Sequence, residues 1–371
     1  MSDEDLMTKT IKTKTLLKLT PLALACAALT MPAQAEDVMK VYGQANLSYD
    51  STSISKTTKT SVVGRTEGDE FKSNASRLGM MGALDTTLDN TSLIYQLEAE
   101  YVAVGANGDA EDEKNTIFVR EAYAGLKNKQ FGKVRMGRLT TGYKSSYTGI
   151  DPWTDHVLQA RQSGQQGASN LNSNYFNSTI EYVSPNFNGF EINAHYSKLS
   201  DASTGVPLHN SGKLATMTGG SASGFGVKYT NGGLRLTADS LTLNSDNDPT
   251  SATSAQNGTA TQFTAKYAFS SGTTLAGLYE DATGVNLGVN NFIIATQKIG
   301  KNGLLTASYG LNQAGSKNAY SKTDDATTIN LGGKYMLTKN SALVAGWSQY
   351  ERSNVEKATT FTLGVDAKFG Y

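Results

Sequence analysis

The sequence predicts an all-β protein, a 16-stranded antiparallel transmembrane β-barrel with long extracellular loops and short periplasmic turns. Three observations predict it. The 371 residues include 37 Gly and 18 Tyr but only 6 Pro and 18 % charged side chains, with abundant Thr, Ser and Asn. That mixture suits many strands better than helix bundles. Apolar residues alternate with polar ones at period two along most of the chain, which also excludes disorder. The gaps between alternating segments are alternately long and short, as an up-and-down barrel with turns at one end and loops at the other requires.

The first 35 residues read as an export signal rather than as part of the fold. Lys9, Lys12, Lys14 and Lys18 form a basic region, Leu16 to Leu29 an apolar one, and Ala33-Gln34-Ala35 a small-x-small cleavage site. The acidic opening Ser2-Asp3-Glu4-Asp5 is unusual in such a signal, and Met7 as the start leaves a conventional one. A lipoprotein signal using Cys26 is disfavoured because Ala23 stands where such signals want Leu. The domain 36–371 that remains has no cysteine, so an exported protein must be stabilised without disulfides.

The strands are expected, in order, at 38–50, 73–84, 92–104, 116–127, 130–139, 175–184, 189–199, 222–230, 233–243, 259–269, 273–281, 291–299, 303–311, 326–337, 341–350 and 359–371. In the first, Met39, Val41, Ala45, Leu47 and Tyr49 share one face, while Lys40, Gln44, Asn46, Ser48 and Asp50 share the other. The last repeats the pattern with Phe361, Leu363, Val365, Ala367, Phe369 and Tyr371 against Thr360, Thr362, Asp366 and Lys368. Brief links such as Asn231-Gly232 and Ser270-Ser271-Gly272 have the chemistry of tight hairpins. A soluble sandwich also alternates, but it has no reason to sort its loops by length. Tyr and Phe near strand ends, among them Tyr49, Tyr182, Phe269 and Tyr335, are placed for interfacial girdles.

Charge and motif content exclude several functions. Lys+Arg 33 against Asp+Glu 33 leaves no basic excess for nucleic acid. His156, His195 and His209 lie far apart without metal-ligand spacing, so no metal or cofactor is implied. Asp246-Asn247-Asp248 lacks the rest of a calcium loop, and no phosphate-binding glycine loop occurs. A barrel phospholipase would pair a serine with His195, yet no spacing singles one out, so no catalytic residue is assigned.

Several segments carry a family resemblance. Val41-Tyr42-Gly43-Gln44 resembles the first strand of the Gram-negative general porins of the trimeric proteobacterial type, and Ser76-Arg77-Leu78-Gly79 resembles their second. Arg120 to Leu126 followed by Phe131 to Arg138 resembles the paired fourth and fifth strands, and Tyr182-Val183-Ser184-Pro185 with Phe187 to Phe190 the turn after the sixth. These matches run in order across the chain. The resemblance implies a water-filled channel in the outer membrane of a Gram-negative bacterium, a homotrimer, and a third loop, 140–174, folded into the pore as a constriction. It also implies outer-membrane lipid and lipopolysaccharide as surroundings and the barrel-assembly machinery as a partner, reading Phe369 and the terminal Tyr371, which replaces the usual Phe.

On this reading Asp151 and Asp155 of the loop face Arg77 and Arg120 on the wall. Strand parity supports the wall positions: Leu78 and Met80 face lipid, so Arg77 points inward, and Val119 and Tyr123 point outward, so Arg120 does too. The same parity puts Glu121 on the outer face, tolerable at a trimer interface. Gln44, Glu98, Glu100, Lys133, Arg135, Glu181 and Glu191 are the further lumen-facing positions. Gln44, Phe176 and Glu181 stand where relatives carry bases, so weak selectivity with a cation lean is expected. Passive diffusion of small hydrophilic solutes and ions is the leading function. A substrate-specific channel for sugars or organic anions is the alternative, and a plugged structural barrel a third; single-channel conductance separates them.

Overall fold

The computed structural model describes residues 39–55, 61–102, 117–199, 217, 219–247, 255–315, 317–353 and 355–370. Residues 1–35, His209, Asp248 and Tyr371 lie outside these, and with them the expected export signal and half of the expected terminal pair.

The strands are β1 (Lys40–Ser55), β2 in two halves (Gly68–Ser73 and Arg77–Asp85), β3 (Thr91–Tyr101), β4 (Ile117–Asn128), β5 (Gly132–Leu139), β6 (Phe176–Val183), β7 (Phe190–Lys198), β8 (Ser221–Asn231), β9 (Leu234–Asn244), β10 (Gly258–Ala268), β11 (Thr273–Asp281), β12 (Val289–Ile299), β13 (Gly303–Asn312), β14 (Ala326–Thr338), β15 (Ser341–Arg352) and β16 (Glu356–Phe369). Each pairs antiparallel with its sequence neighbours, and β1 pairs with both β2 and β16, from Gly43↔Phe369 to Ser55↔Lys357, so the sheet closes on itself. Closure leaves no unpaired edge, the condition for a sheet to cross a membrane. All sixteen expected strands are present. The main boundary differences are the extension of β2 back to Gly68 and of β15 and β16 toward each other, which shortens the expected gap 351–358 to 353–355.

Two faces separate by chemistry. Side chains turned outward are large, apolar and exposed: Leu97, Met136, Ile180, Phe225, Ile293 and Leu363 are each 46–63 % accessible. Those turned inward are polar and buried: Ser48, Gln262, Glu280, Asn290, Thr328 and Thr360 are each 0–3 % accessible. A soluble sandwich would show the reverse, so the sandwich reading ends here. Aromatics cluster at the short-turn end, where Phe190 packs at a tilt against Tyr229 and Tyr267 meets Phe269 edge-on, both at 4.6 Å between ring centres. Toward the long-loop end Tyr49 meets Phe71 edge-on at 5.3 Å.

Two of the irregularities that interrupt the alternation each carry an arginine. In β2, one extra residue between Ser73 and Arg77 shifts the register on β1, with Ala75 at φ +52°. The break is filled rather than frayed: Ser76 and Asn74 bond to Asn46 and Ser48 of β1. In β4 the register moves from Glu98↔Glu121 to Ala99↔Val119, so Arg120 is the extra residue of a bulge. A bulge re-aims side chains and reverses parity beyond it. Arg120 does point inward, but Glu121 and Tyr123 point inward as well, against the expectation that both face out. Glu121 accepts bonds from the Thr140 amide and hydroxyl at 3.0 and 2.6 Å, and the Tyr123 hydroxyl donates to Gln96. Glu121 is therefore not an outward glutamate, and it gives no reason to place a subunit interface on β4.

Candidate functional site

The segment between β5 and β6 folds into the barrel. It has internal order: α1 (Gly142–Thr148) and 3-10 turns at Gln162–Gly164 and Asn170–Ser173. Barrel-wall cations hold the carbonyls at the end of α1, with Arg235 donating to Ser145 and Ser146 and Lys266 to Gly149 at 3.2 Å. Positive charge at a helix C-terminus is electrostatically favourable. Lys144 on α1 donates to the Ser173 carbonyl at 3.0 Å and so ties the two ends of the loop together.

One side of the loop is dry. Trp153 and Leu158 are at most 1 % exposed and pack with Ile150, Val157 and Ala160 against Leu278, Phe292, Ile294 and Val344 of the wall. The wall is smoothed to receive them: a Cβ on Gly332 would lie 2.3 Å from the Trp153 ring, and one on Gly346 2.5 Å from Leu158. Trp153 Nε1 donates to Thr306 at 2.8 Å, leaving the indole no unpaired donor. Farther along, the buried Glu280 of β11 accepts from the Tyr143 hydroxyl, the Ser169 amide and hydroxyl, and Asn172, all within 3.0 Å. A buried carboxylate is tolerated when its lone pairs are filled in this way.

The other side is ionic. Asp155, held at φ +71°, receives Arg77 Nη2 at 3.0 Å, Arg120 Nη2 at 3.5 Å and Arg161 Nη2. Arg120 also binds Glu98 at 2.7 Å and Glu100 at 2.6 Å, both on β3. Tyr42 of β1 donates to the remaining oxygen of Glu98 at 2.9 Å. Tyr175 stacks under Arg120 and Lys144, 5.2 and 3.2 Å from its ring centre. Burial alone pushes the Asp155 carboxyl up, but the guanidiniums of Arg120, Arg161 and Arg77 and the Lys144 ammonium outweigh it, holding the carboxyl well below the usual range.

This cluster divides the lumen. A cavity of about 650 Å³ lies on its long-loop side, reaching Ser73, Gln162 and Tyr320. Another of about 380 Å³ lies on the short-turn side, reaching Gln44, Lys334 and Asp366. Arg120, Lys144, Asp155, Arg161 and Tyr175 line both.

Of the residues expected at the constriction, Arg77, Arg120 and Asp155 are thus brought together, with Glu98 and Glu100 behind them. Gln44 lines the short-turn cavity. Asp151 does not join them. Its carboxylate accepts from Tyr147, from the Trp153 amide at 2.9 Å and from the Ala160 amide at 3.0 Å, bracing the loop from within. Burial pushes its carboxyl up. Arg135 and Glu181 face inward as expected but pair with each other apart from the cluster, beside Tyr123, with Lys133 near them. His156 is buried against Trp153, and His195 lies inward against Phe176. Phe369 faces outward, over Gly43.

Sequence reading missed Arg161, Lys144 and Tyr175. Arg161 and Lys144 are the only cations between 140 and 174, and that count was the available signal.

A model described as Gram-negative porin matches residues 22–355. An outer membrane porin protein of Bordetella pertussis is 27 % identical over 175 residues, 47 % of this chain and 44 % of the relative. The major outer membrane protein P.IB of Neisseria sicca is 27 % identical over 186 residues, 50 % of this chain and 48 % of the relative. The chain therefore aligns with less than half the length of each. Among solved structures, an anion-selective porin from Comamonas acidovorans superimposes with a TM-score of 0.62 at 17 % identity, covering 89 % of this chain and 99 % of that one. Salmonella typhi OmpF, in complex with daunomycin, gives 0.62 at 16 % identity, covering 89 % and 97 %. At these identities the likeness is one of fold.

Proposed function

Because this chain belongs to the Gram-negative porin family, we propose that it forms a water-filled channel for passive diffusion of small hydrophilic solutes and ions across the outer membrane. The observation that carries the reading is the junction of the two polar cavities at Arg77, Arg120, Arg161 and Asp155. Fixed charges of both signs at a narrow point set a transverse field, weakly screened compared with bulk salt, that orders water and filters solutes. Loop 140–174 acts as the constriction, with Arg77, Arg120 and Asp155 as its charged rim and Asp151 as internal support. Arg161 and Lys144 restore bases that the sequence reading counted as missing, so the cation lean weakens toward near-neutral selectivity. A substrate-specific channel has less support: Tyr143, Tyr147 and Trp153 of the loop are buried, and Tyr175, the aromatic that both cavities share, is covered by Arg120 and Lys144.

The short turns lie on the periplasmic side and the long loops outside. Residues 1–35 are an export signal, cleaved to leave 36–371. Phe369 and Tyr371 address the chain to the barrel-assembly machinery, and the apolar outer face meets lipid and lipopolysaccharide. The assembly is a homotrimer. Its support is now a neighbour in fold, Vibrio cholerae OmpT, one of whose structures is described as a trimer form. Purified protein in planar bilayers should show ohmic single-channel steps that small uncharged solutes do not block. No conductance, or saturable block by one sugar or organic anion, would contradict general diffusion.

A further inference from the structure

The loop after β1 contributes a contact that the channel reading does not use. Its segment 61–66 is a small hairpin, Ser61↔Thr66 and Val62↔Arg65, turning at Val63 and Gly64 with φ +53° and +69°. The hairpin is packed inside the barrel mouth. Val62 is 1 % exposed among Ala326, Tyr350 and Ala358, and Arg65 is fully buried. The Arg65 guanidinium joins two other elements: Nη2 donates to Ser348 of β15 at 2.7 Å and to Gln166 of the pore loop at 3.0 Å. The turn beside it touches the same loop, since a Cβ on Gly64 would lie 2.6 Å from Ser163 Oγ. From the wall, Arg352 and Tyr350 donate to Gln165. Gln162, Ser163 and Gln165 line the 650 Å³ cavity.

We propose that Arg65 is a positioning residue for the pore: through it the 61–66 hairpin fixes loop segment 162–166, and so sets the width of the long-loop cavity. Only Nη2 of this buried guanidinium is hydrogen-bonded, Nε and Nη1 being buried without partners among the described residues, so its two bonds to Ser348 and Gln166 are what hold the charge in place. Arg65 spans hairpin, pore loop and β15, so the three move as one unit. The ionic cluster at Asp155 decides which charge passes, and Arg65 decides how still the opening stands above it.

The proposal rests on the channel reading and is tested on the full-length protein in planar bilayers. Arg65→Ala should raise single-channel conductance and increase open-channel current noise several-fold, with the reversal potential in a salt gradient unchanged, because Arg77, Arg120 and Asp155 are untouched. Wild-type conductance and noise in this variant would overturn the proposal. Absence of channels from the wild-type protein would instead contradict the channel reading. A second variant does not depend on removing the arginine. A Cβ built at Gly64 lies 4.0 Å from Ser163 Cβ, inside the disulfide range of about 3.5–4.5 Å, and the chain's one cysteine is Cys26, in the export segment. Gly64→Cys with Ser163→Cys should cross-link on oxidation. Added to Arg65→Ala, the oxidised pair should return noise to the wild-type level, and reduction should release it again. Failure to cross-link with Arg65 intact, or noise indifferent to oxidation, would overturn the proposal.

Discussion

The pore loop meets two walls of the barrel, and the two contacts are made of different matter. Against β11 to β15 it buries Trp153 and Leu158 on bare glycines and fills the lone pairs of Glu280. Against β2 to β4 it offers one carboxylate, Asp155, to arginines that remain partly wetted by the two cavities. Area and shape hold the first contact, and it is indifferent to what passes. Charge holds the second, and it is therefore the contact that a solute or a change of pH can address. A loop seated on one side by packing can leave its other side to function.

The largest effect should come from the dry side. Trp153→Ala removes a fully buried indole, which typically costs about 3–5 kcal/mol, and Gly332→Val drives a methyl into the space the ring occupies. Both should unseat the loop and lower the unfolding temperature of the protein in detergent. Thermal melts matching wild type would show that the loop is held from the ionic side alone.

Asp155→Asn comes next. It leaves Arg77, Arg120 and Arg161 without their shared carboxylate, and breaking a buried pair costs about 3–5 kcal/mol where no other partner remains; Glu98 and Glu100 reduce that here. Reversal potentials should move toward anions. Asp151→Asn, by contrast, should leave the reversal potential in place while lowering stability, since its bonds are all within the loop. Equal shifts from the two variants would erase the distinction drawn between these carboxylates.

Acid should separate the walls more gently. Asp155 titrates below the ordinary aspartate value of about 3.9, so the stability its ion pairs contribute is fully present above that value and is lost only as pH falls through the depressed one. Selectivity should hold steady from neutral pH to about 5. A reversal potential that drifts toward anions over that range would place the Asp155 carboxyl above the ordinary range, not below it. The smallest effect belongs to Glu121→Gln, which keeps an acceptor for Thr140; an unchanged yield of the proposed trimer is expected, and its loss in this variant would return Glu121 to an interface.

Much of this was legible in the sequence, for physical reasons. Period-two alternation is a direct image of a two-faced sheet, so the strands and the inward aim of Arg77, Glu98 and Glu100 could be read residue by residue. Glu121 and Tyr123 could not, because a single extra residue reverses every side chain beyond it and Arg120 carries no mark of being that residue. Within the loop no period exists, so Asp151 and Asp155 looked alike. One signal was available: Asp151-Pro152-Trp153 is the form of an Asx turn, and the Asp151 carboxylate does accept the amide two residues on. Arg161 and Arg65 reach their partners only through the folding of separate loops into one lumen, which no local pattern encodes.

In the proposed channel the ionic wall is the narrowest point and sets the selectivity. This is tested most directly by the reversal potential of the Arg77→Ala, Arg120→Ala double variant in a salt gradient across a planar bilayer. With Asp155, Glu98 and Glu100 left facing Arg161 and Lys144 alone, the potential should shift toward cations and conductance should rise, because two bulky side chains leave the cluster. A wild-type reversal potential would mean that ions cross somewhere else, and that these arginines brace the loop without lining the path.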